Sequence, residues 1–361
     1  MIIQIEPWIG KEEWQQIKEV IESTFLTESK KTAEFEKKFI ELTGATQAIA
    51  YSSGSTALFA ALKALGIGNG DEVIVPDLTF VASSNSIILA GATPVFVDID
   101  QKTYQINPQE IEKHITEKTK AIMPVHLYGQ SCDMEAILPI ARKHNLKVVE
   151  DAAQGVGVKF QGKHVGTFGD MGCISFYGNK TITTGEGGMI VTNNEELAKK
   201  VYMLKNHGRP KRGTFVHDEI GFNFSITEMQ AAIGLAQLLK FEKIKKRKQE
   251  IRSYYEKNLS DIKDIQLTYV DPRCEPVHWF SSVIVPDVQA LQDYLTKHEI
   301  QTRRFFPALH IQPCYKHIKF KESFPNATYA YEHGLSLPSS ALLTNTQLEE
   351  VVKRIKEFYQ Q

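Results

Sequence analysis

The sequence predicts an α/β fold: a large unit on a mostly parallel central sheet, followed by a smaller C-terminal α+β unit. Two patterns carry that expectation. From about residue 45 to 195, short and nearly continuous apolar runs alternate with helical periodicity, the pattern of a sheet covered on both faces. After Thr227 the texture changes to one long helical pattern and then to short mixed elements. The expected division is an N-terminal helical segment at 1–30, a large unit at 31–240 and a small unit at 241–361.

In chain order, an amphipathic helix is expected from Lys11 to Ser23, with nothing in the sequence to say which unit it packs against. A helix from Leu58 to Leu65 follows the small-residue turn Ser52–Thr56. Strands are expected at Glu72–Pro76, Pro94–Asp98, Lys120–His126, Leu146–Asp151, Gly172–Phe176 and Gly188–Thr192. Helices are expected between them at Val81–Leu89, Pro108–His114 and Met134–Lys143. Beyond these come a helix at Glu228–Leu259, a strand at Trp279–Val285 and helices at Val288–His298 and Thr346–Tyr359. The basic run Lys243–Arg252, interrupted by Glu250, reads as a solvated helix face. In parallel sheets functional groups gather past the carboxyl ends of the strands, where Asp98, His126, Asp151 and Phe176 fall.

Composition narrows the function. With 361 residues, 42% hydrophobic and 24% charged, the chain can build a substantial core. A formal net charge of -1 gives no attraction to nucleic acid or to an anionic membrane. The four cysteines are scattered without metal-ligand spacing, so no metal site is expected and reduced thiols in the cytoplasm are the simpler reading. No leader-like or membrane-spanning stretch is seen.

The chemistry concentrates in three places. Lys180 follows the apolar Ser175-Phe176-Tyr177 and precedes a Gly/Thr-rich turn, a setting in which a partly desolvated amine loses its proton and attacks carbonyls. Asp151 closes the apolar run Val148-Val149-Glu150, where a carboxylate can keep a pyridine nitrogen protonated and so make the ring an electron sink. Gln154, three residues on, can donate to a phenolic oxygen. Ser52-Ser53-Gly54-Ser55-Thr56 opens a helix and offers N–H groups and a positive dipole end to a phosphate. Singly, these are also a surface lysine, a strand-end carboxylate and an ordinary capped helix. Together and in this order they point to pyridoxal 5'-phosphate.

The run Gly178-Asn179-Lys180-Thr181-Ile182-Thr183-Thr184-Gly185-Glu186-Gly187-Gly188 resembles the lysine motif of the DegT/DnrJ/EryC1/StrS family of nucleotide-sugar aminotransferases. Similar stretches run from Ser52 to Leu58, from Pro76 to Ala82, from Pro124 to Gln130, from Glu150 to Gly155 and from Gly221 to Ala232. A last one, Pro307-Ala308-Leu309-His310, departs slightly from the commoner family form. The resemblance covers nearly the whole chain and implies a fold-type I pyridoxal-phosphate aminotransferase. Lys180 would then form the Schiff base with the cofactor and shuttle the proton, with Asp151 on the ring nitrogen and Gln154 on the phenolic oxygen. Phe80 would stack on the ring, and Gly54, Ser55, Thr56 and Ser175 would hold the phosphate. Asn223 would reach the phosphate of a neighbouring subunit, making the site a property of a homodimer or a higher assembly.

On the sugar side Tyr177, Asn179, Arg303 and His310 are the candidates, and Lys211 and Arg212 form a basic loop that could also meet a diphosphate. Within the family the lysine run is most similar to members that act on GDP-linked sugars. The expected reaction moves the amino group of L-glutamate to C-4 of a nucleotide-linked 4-keto-6-deoxyhexose, first GDP-4-keto-6-deoxymannose giving GDP-perosamine. UDP- or dTDP-linked glucose-configured sugars are the alternative. A dehydratase on this fold, one branch of which carries histidine at the lysine position, and a non-catalytic regulator are the rivals.

Overall fold

The structure, a computed structural model, describes residues 1–318, 320 and 322–360. In chain order the helices are α1 (Lys11–Ser23), α2 (Lys30–Thr43), α3 (Gly54–Ala64), α4 (Ala82–Leu89), α5 (Pro108–Lys113), α6 (Met134–Lys143), α7 (Glu195–Lys205), α8 (Glu228–Leu259), α9 (Val288–Lys297), α10 (Pro325–His333) and α11 (Asn345–Gln360). The first nine strands are β1 (Gln47–Tyr51), β2 (Glu72–Pro76), β3 (Thr93–Val97), β4 (Thr119–Ile122), β5 (Lys147–Asp151), β6 (Lys159–Phe160), β7 (Lys163–His164), β8 (Met171–Ser175) and β9 (Gly188–Thr192). Then come β10 (Gln266–Leu267), β11 (Cys274–Glu275), β12 (Ser281–Ile284), β13 (Arg303–Arg304) and β14 (Gly334–Leu337).

The central sheet has seven strands in the order β1-β9-β8-β5-β4-β2-β3. Neighbours pair in parallel from β3 through to β8, and β9 alone runs against the rest. The reason is the connection from Phe176 to Gly187. It contains no crossover helix, and a parallel return would need one. That connection carries Lys180.

The strands expected from Glu72 to Thr192 all occur, and α6 and α8 have the expected bounds. Sequence reasoning missed α2, β1 and α7. The strand β1 reads Gln47-Ala48-Ile49-Ala50-Tyr51, and its alanines give little strand propensity. Its place is set by pairing with β9 over its full length.

Helix α8 ties the molecule together. Its first half packs Ala231, Leu235, Phe241 and Ile244 with Phe35, Phe39 and Phe176. Its second half packs Ile251, Tyr255 and Leu259 with Leu291, Leu335 and Val351. Residue 240 therefore lies inside one continuous helix. Gly234 lets α2 come close, because a Cβ there would meet the Phe35 ring at 2.6 Å. The N-terminal helix α1 lies against α8, where buried Glu13 accepts from Lys240 Nζ at 2.7 Å and from Gln237 Nε2 at 2.8 Å. The basic run of α8 departs from the expected solvated face, since Lys248 and Arg252 are buried.

The small sheet has the order β10-β12-β14-β13. Its chain also returns to the large unit, since β11 pairs with β6. Phe305, Leu309, Ala327 and Ala330 join the same core as Leu58 and Val75. None of the described helices is long and apolar enough to cross a membrane.

Candidate active site

A cavity of about 430 Å³ opens at the carboxyl ends of β2, β5 and β8, where α3 begins. It is lined by Gly54, Ser55, Phe80, Asp151, Gln154, Ser175, Tyr177, Asn179, Lys180, Trp279, Arg303 and Phe306, among others. Ten of the expected site residues thus converge on one space.

The lysine turn is rigidly tied. Thr183 Oγ1 donates to the Phe176 carbonyl at 2.9 Å and accepts from Gly185 N–H at 2.8 Å. Thr184 Oγ1 donates to the Glu186 carbonyl at 2.6 Å. Lys180 N–H donates to the Tyr177 carbonyl at 2.9 Å. The Trp279 indole N–H donates to the Asn179 carbonyl at 2.7 Å, and Lys180 Nζ sits 4.3 Å from the Trp279 ring. Burial pushes the Lys180 ammonium down to about 8, with Asp151 pulling it up and Arg303 pushing it further down. At neutral pH an appreciable share of this amine is therefore uncharged.

Asp151, at the end of β5, is 4% exposed. Its Oδ2 accepts from Ser83 Oγ at 2.7 Å and its Oδ1 from Ala153 N–H at 3.1 Å. Those two donors fix a carboxylate against the cavity. Its neighbour Glu150 points the other way. Glu150 accepts from Gly166, Phe168 and Gly169 N–H at 2.7 Å and meets His126 Nε2 at 2.9 Å. Burial would raise its carboxyl, but His126 and the backbone donors outweigh that and hold it below the usual range. The strand-end groups noted in the sequence thus separate. His126 is spent on Glu150, Asp98 caps α10 through Asn326 and Ala327 N–H, and Phe176 is core. Only Asp151 of the four faces the cavity.

At the start of α3, Thr56 N–H is taken by Ser53 Oγ at 3.1 Å, whereas the N–H groups of Gly54 and Ser55 have no partner among the described residues. Gly54 must be glycine here, since a Cβ would lie 2.9 Å from that of Ser175. That close approach brings two free donors and the Ser175 hydroxyl into one anion cradle. Thr56 departs from expectation. Its hydroxyl donates to the Ser53 carbonyl at 2.9 Å, so it caps the helix and does not line the cavity. Gln154 Oε1 accepts from Tyr128 N–H at 2.6 Å, and its amide nitrogen has no protein partner among the described residues. Cradle, carboxylate, amide and lysine together match the donor set that a phosphorylated hydroxypyridine aldehyde needs.

The mouth is looser. Phe80 is 54% and Tyr177 50% exposed, and the Phe80 ring lies 5.6 Å from that of Phe306. Arg303 is exposed, and its guanidinium carbon rests 5.7 Å from the Phe280 ring. Arg212 is tied to Glu28 at 3.1 Å.

Two further expected residues lie outside the cavity. Asn223 is exposed and bridges Asn206. His310 is turned away by buried Asp77, which takes its Nδ1 at 2.6 Å and its backbone N–H at 2.8 Å, and its ring stacks on Phe324. The hydrogen bond to Asp77 raises the imidazole above its ordinary value. Trp279, Phe306 and Ser83 were missed. Nothing local marks the first two, which arrive from the far side of the chain; Ser83 had a faint signal in the serine-rich run at the start of α4.

Comparison with known proteins bears on the family and the fold. The profile of the DegT/DnrJ/EryC1/StrS aminotransferase family matches residues 7–356. A GDP-perosamine synthase of Escherichia coli O157:H7 is 41% identical over 98% of this chain and 97% of its own. One from Caulobacter vibrioides is 40% identical over 97% and 96%. Among solved structures, S. venezuelae DesV in complex with a ketimine intermediate superposes with a TM-score of 0.93 at 32% identity, covering 97% of this chain and 95% of that one.

Proposed function

The chain belongs to the DegT/DnrJ/EryC1/StrS aminotransferase family, which works with pyridoxal 5'-phosphate, and we propose that it converts GDP-4-keto-6-deoxymannose to GDP-perosamine with L-glutamate as amino donor. The observation that carries the substrate is the near full-length identity to GDP-perosamine synthases from two organisms. The cofactor, when bound, supplies an electron sink that lets a proton leave the carbon bearing the transferred nitrogen.

The remaining work falls to the chain. Gly54 and Ser55 N–H groups and the Ser175 hydroxyl hold the phosphate. Asp151, fixed by Ser83 and Ala153, keeps the ring nitrogen protonated, and Gln154 has a free amide for the phenolic oxygen. Phe80 offers a flat apolar face. Lys180 takes a proton from the donor carbon and returns one to the sugar carbon, which suits an amine held near 8. Trp279 and Phe306 keep water from that proton. Glutamate gives up its nitrogen and leaves as 2-oxoglutarate before the keto sugar enters. Tyr177, Asn179 and Arg303 are placed to meet the sugar nucleotide.

We read the working form as a homodimer with shared active sites. Asn223 is exposed and lies outside the cavity that holds Lys180, and the adjoining loop exposes Phe215 by 87%, Val216 by 69% and Ile220 by 90%. A cytoplasmic setting suits the four free cysteines. The test is a panel of GDP-, UDP- and dTDP-linked 4-keto-6-deoxy sugars with glutamate, read by product mass and NMR. The GDP sugar is expected to turn over at least about tenfold faster. Preference for a UDP or dTDP sugar, or nitrogen at C-3, would overturn the assignment.

A further inference from the structure

Lys248 on α8 is 4% exposed, and no carboxylate reaches it among the described residues. Its Nζ donates to two backbone carbonyls, Trp279 at 3.1 Å and Ser339 at 3.0 Å. The charged groups facing it are unhelpful. Arg252, one turn along, is engaged with Glu256 and Thr268, and His278 is pushed down to about 3 by burial and by the charges of Arg252 and Lys248. Burial pushes the Lys248 ammonium itself down to about 7. Burying an ammonium with no carboxylate beside it is unfavourable, and an apolar side chain of similar length would avoid that penalty but leave the Trp279 and Ser339 carbonyls without a donor. The use of a lysine here lies in what its two hydrogen bonds hold.

What they hold is Trp279. This residue is fixed at three points: its carbonyl by Lys248, its indole N–H by the Asn179 carbonyl at 2.7 Å, and its ring face by Lys180 Nζ at 4.3 Å. Phe280 stacks on the ring at 4.0 Å. The Ser339 end is anchored as well, since Ser339 Oγ accepts from Ser281 N–H at 2.8 Å and Ser339 N–H donates to the Gln4 carbonyl at 2.7 Å. A chain of direct contacts therefore runs from α8 through the Trp279 backbone and indole to the reacting amine and the residue before it.

We propose that Lys248 is a positioning residue for amino transfer: by gripping the Trp279 carbonyl it sets the indole that places Lys180 and the Asn179 carbonyl. The role rests on Lys180 being the reacting lysine. A small displacement of a proton-transferring group lowers turnover without weakening substrate binding, so the signature is a loss in kcat with little change in KM.

The experiment compares wild type, Lys248→Met and Trp279→Phe. In apoprotein labelled with 15N-tryptophan, the indole N–H resonance of Trp279 is identified by its absence in Trp279→Phe. Lys248→Met is expected to fold with a modestly lower melting temperature, because two buried carbonyls lose their donor, to shift that resonance, and to lower kcat about tenfold with sugar KM within twofold. The pH at which the lysine-linked chromophore changes its absorbance is also expected to move. A folded Lys248→Met protein with an unmoved resonance and wild-type kcat overturns the role. Should Lys248→Met not fold, Trp279→Phe decides, because it keeps an aromatic side chain but removes the indole N–H bonded to the Asn179 carbonyl together with the second ring; an unchanged kcat there overturns the role equally. A wild-type protein that stays colourless with added pyridoxal phosphate sinks the reading of Lys180 instead, whatever the variants do.

Discussion

The floor of the cavity and its mouth are built from different material. At the floor, Asp151 and Ser175 are 4% and 7% exposed, and the polar groups are held from strand ends, the first turn of α3 and the hydrogen-bonded turns that follow β5 and β8. At the mouth, Phe80 and Tyr177 are half exposed and Arg303 has no carboxylate partner among the described residues. Groups that must hold one geometry through a reaction are locked by buried hydrogen bonds. Groups that must admit and release a large substrate are left to side chains that can move. Chemistry and specificity thus occupy the two ends of one space, and a change at one end need not disturb the other.

That separation can be broken by experiment. Lys180→Ala, at the floor, is expected to abolish the lysine-linked absorption band and to lower amino transfer by about 10⁴-fold or more; absorbance and a product assay check both. Retained colour together with retained turnover would move the reacting group elsewhere. Arg303→Ala, at the mouth, is expected to leave the visible spectrum intact and raise the KM for the sugar nucleotide about tenfold, the loss of one charged contact. A bleached spectrum in that variant would show the two ends to be coupled.

The smallest effect is expected outside the cavity altogether. His310→Gln should change sugar kinetics by less than about threefold while lowering stability by about 1 kcal/mol. While Asp77, whose own carboxyl burial raises, stays ionised, this stabilisation is full just below pH 6.5 and fades as pH rises through the raised His310 value. Melting curves of the two proteins should therefore converge on going alkaline. A gap that widens with pH would contradict the Asp77–His310 pairing.

The same division explains what could be read in advance. Lys180 and Asp151 were legible because each closes or follows a strand whose apolar run is itself a strong signal, and the Ser52–Thr56 turn because its small residues open an apolar helical run. Order along the chain then supplied their relation. Trp279 and Phe306 were illegible because they reach the cavity only through the return of the chain after α8, and nothing in their neighbours encodes a contact with Asn179 or Phe80. Thr56 and His310 lay in suggestive runs, yet capping and a buried aspartate claimed them, and both are outcomes of packing. The helix α8 was predicted with its bounds, but the burial of Lys248 and Arg252 on it was not, since a lysine-rich run looks solvated until a second unit closes over it.

The continuity of α8 across both cores also bears on how the protein is made. Lys180 leaves the ribosome long before the residues that enclose it. The stripe of α8 that completes the small core has nothing to cover until Leu291, Leu335 and Val351 have been synthesised. The wall of the cavity itself waits for Trp279, Arg303 and Phe306. The first 240 residues carry the phosphate cradle, Asp151 and Lys180 but lack the side of the cavity that Trp279, Arg303 and Phe306 form. The cavity is complete only when the chain after α8 has returned to it.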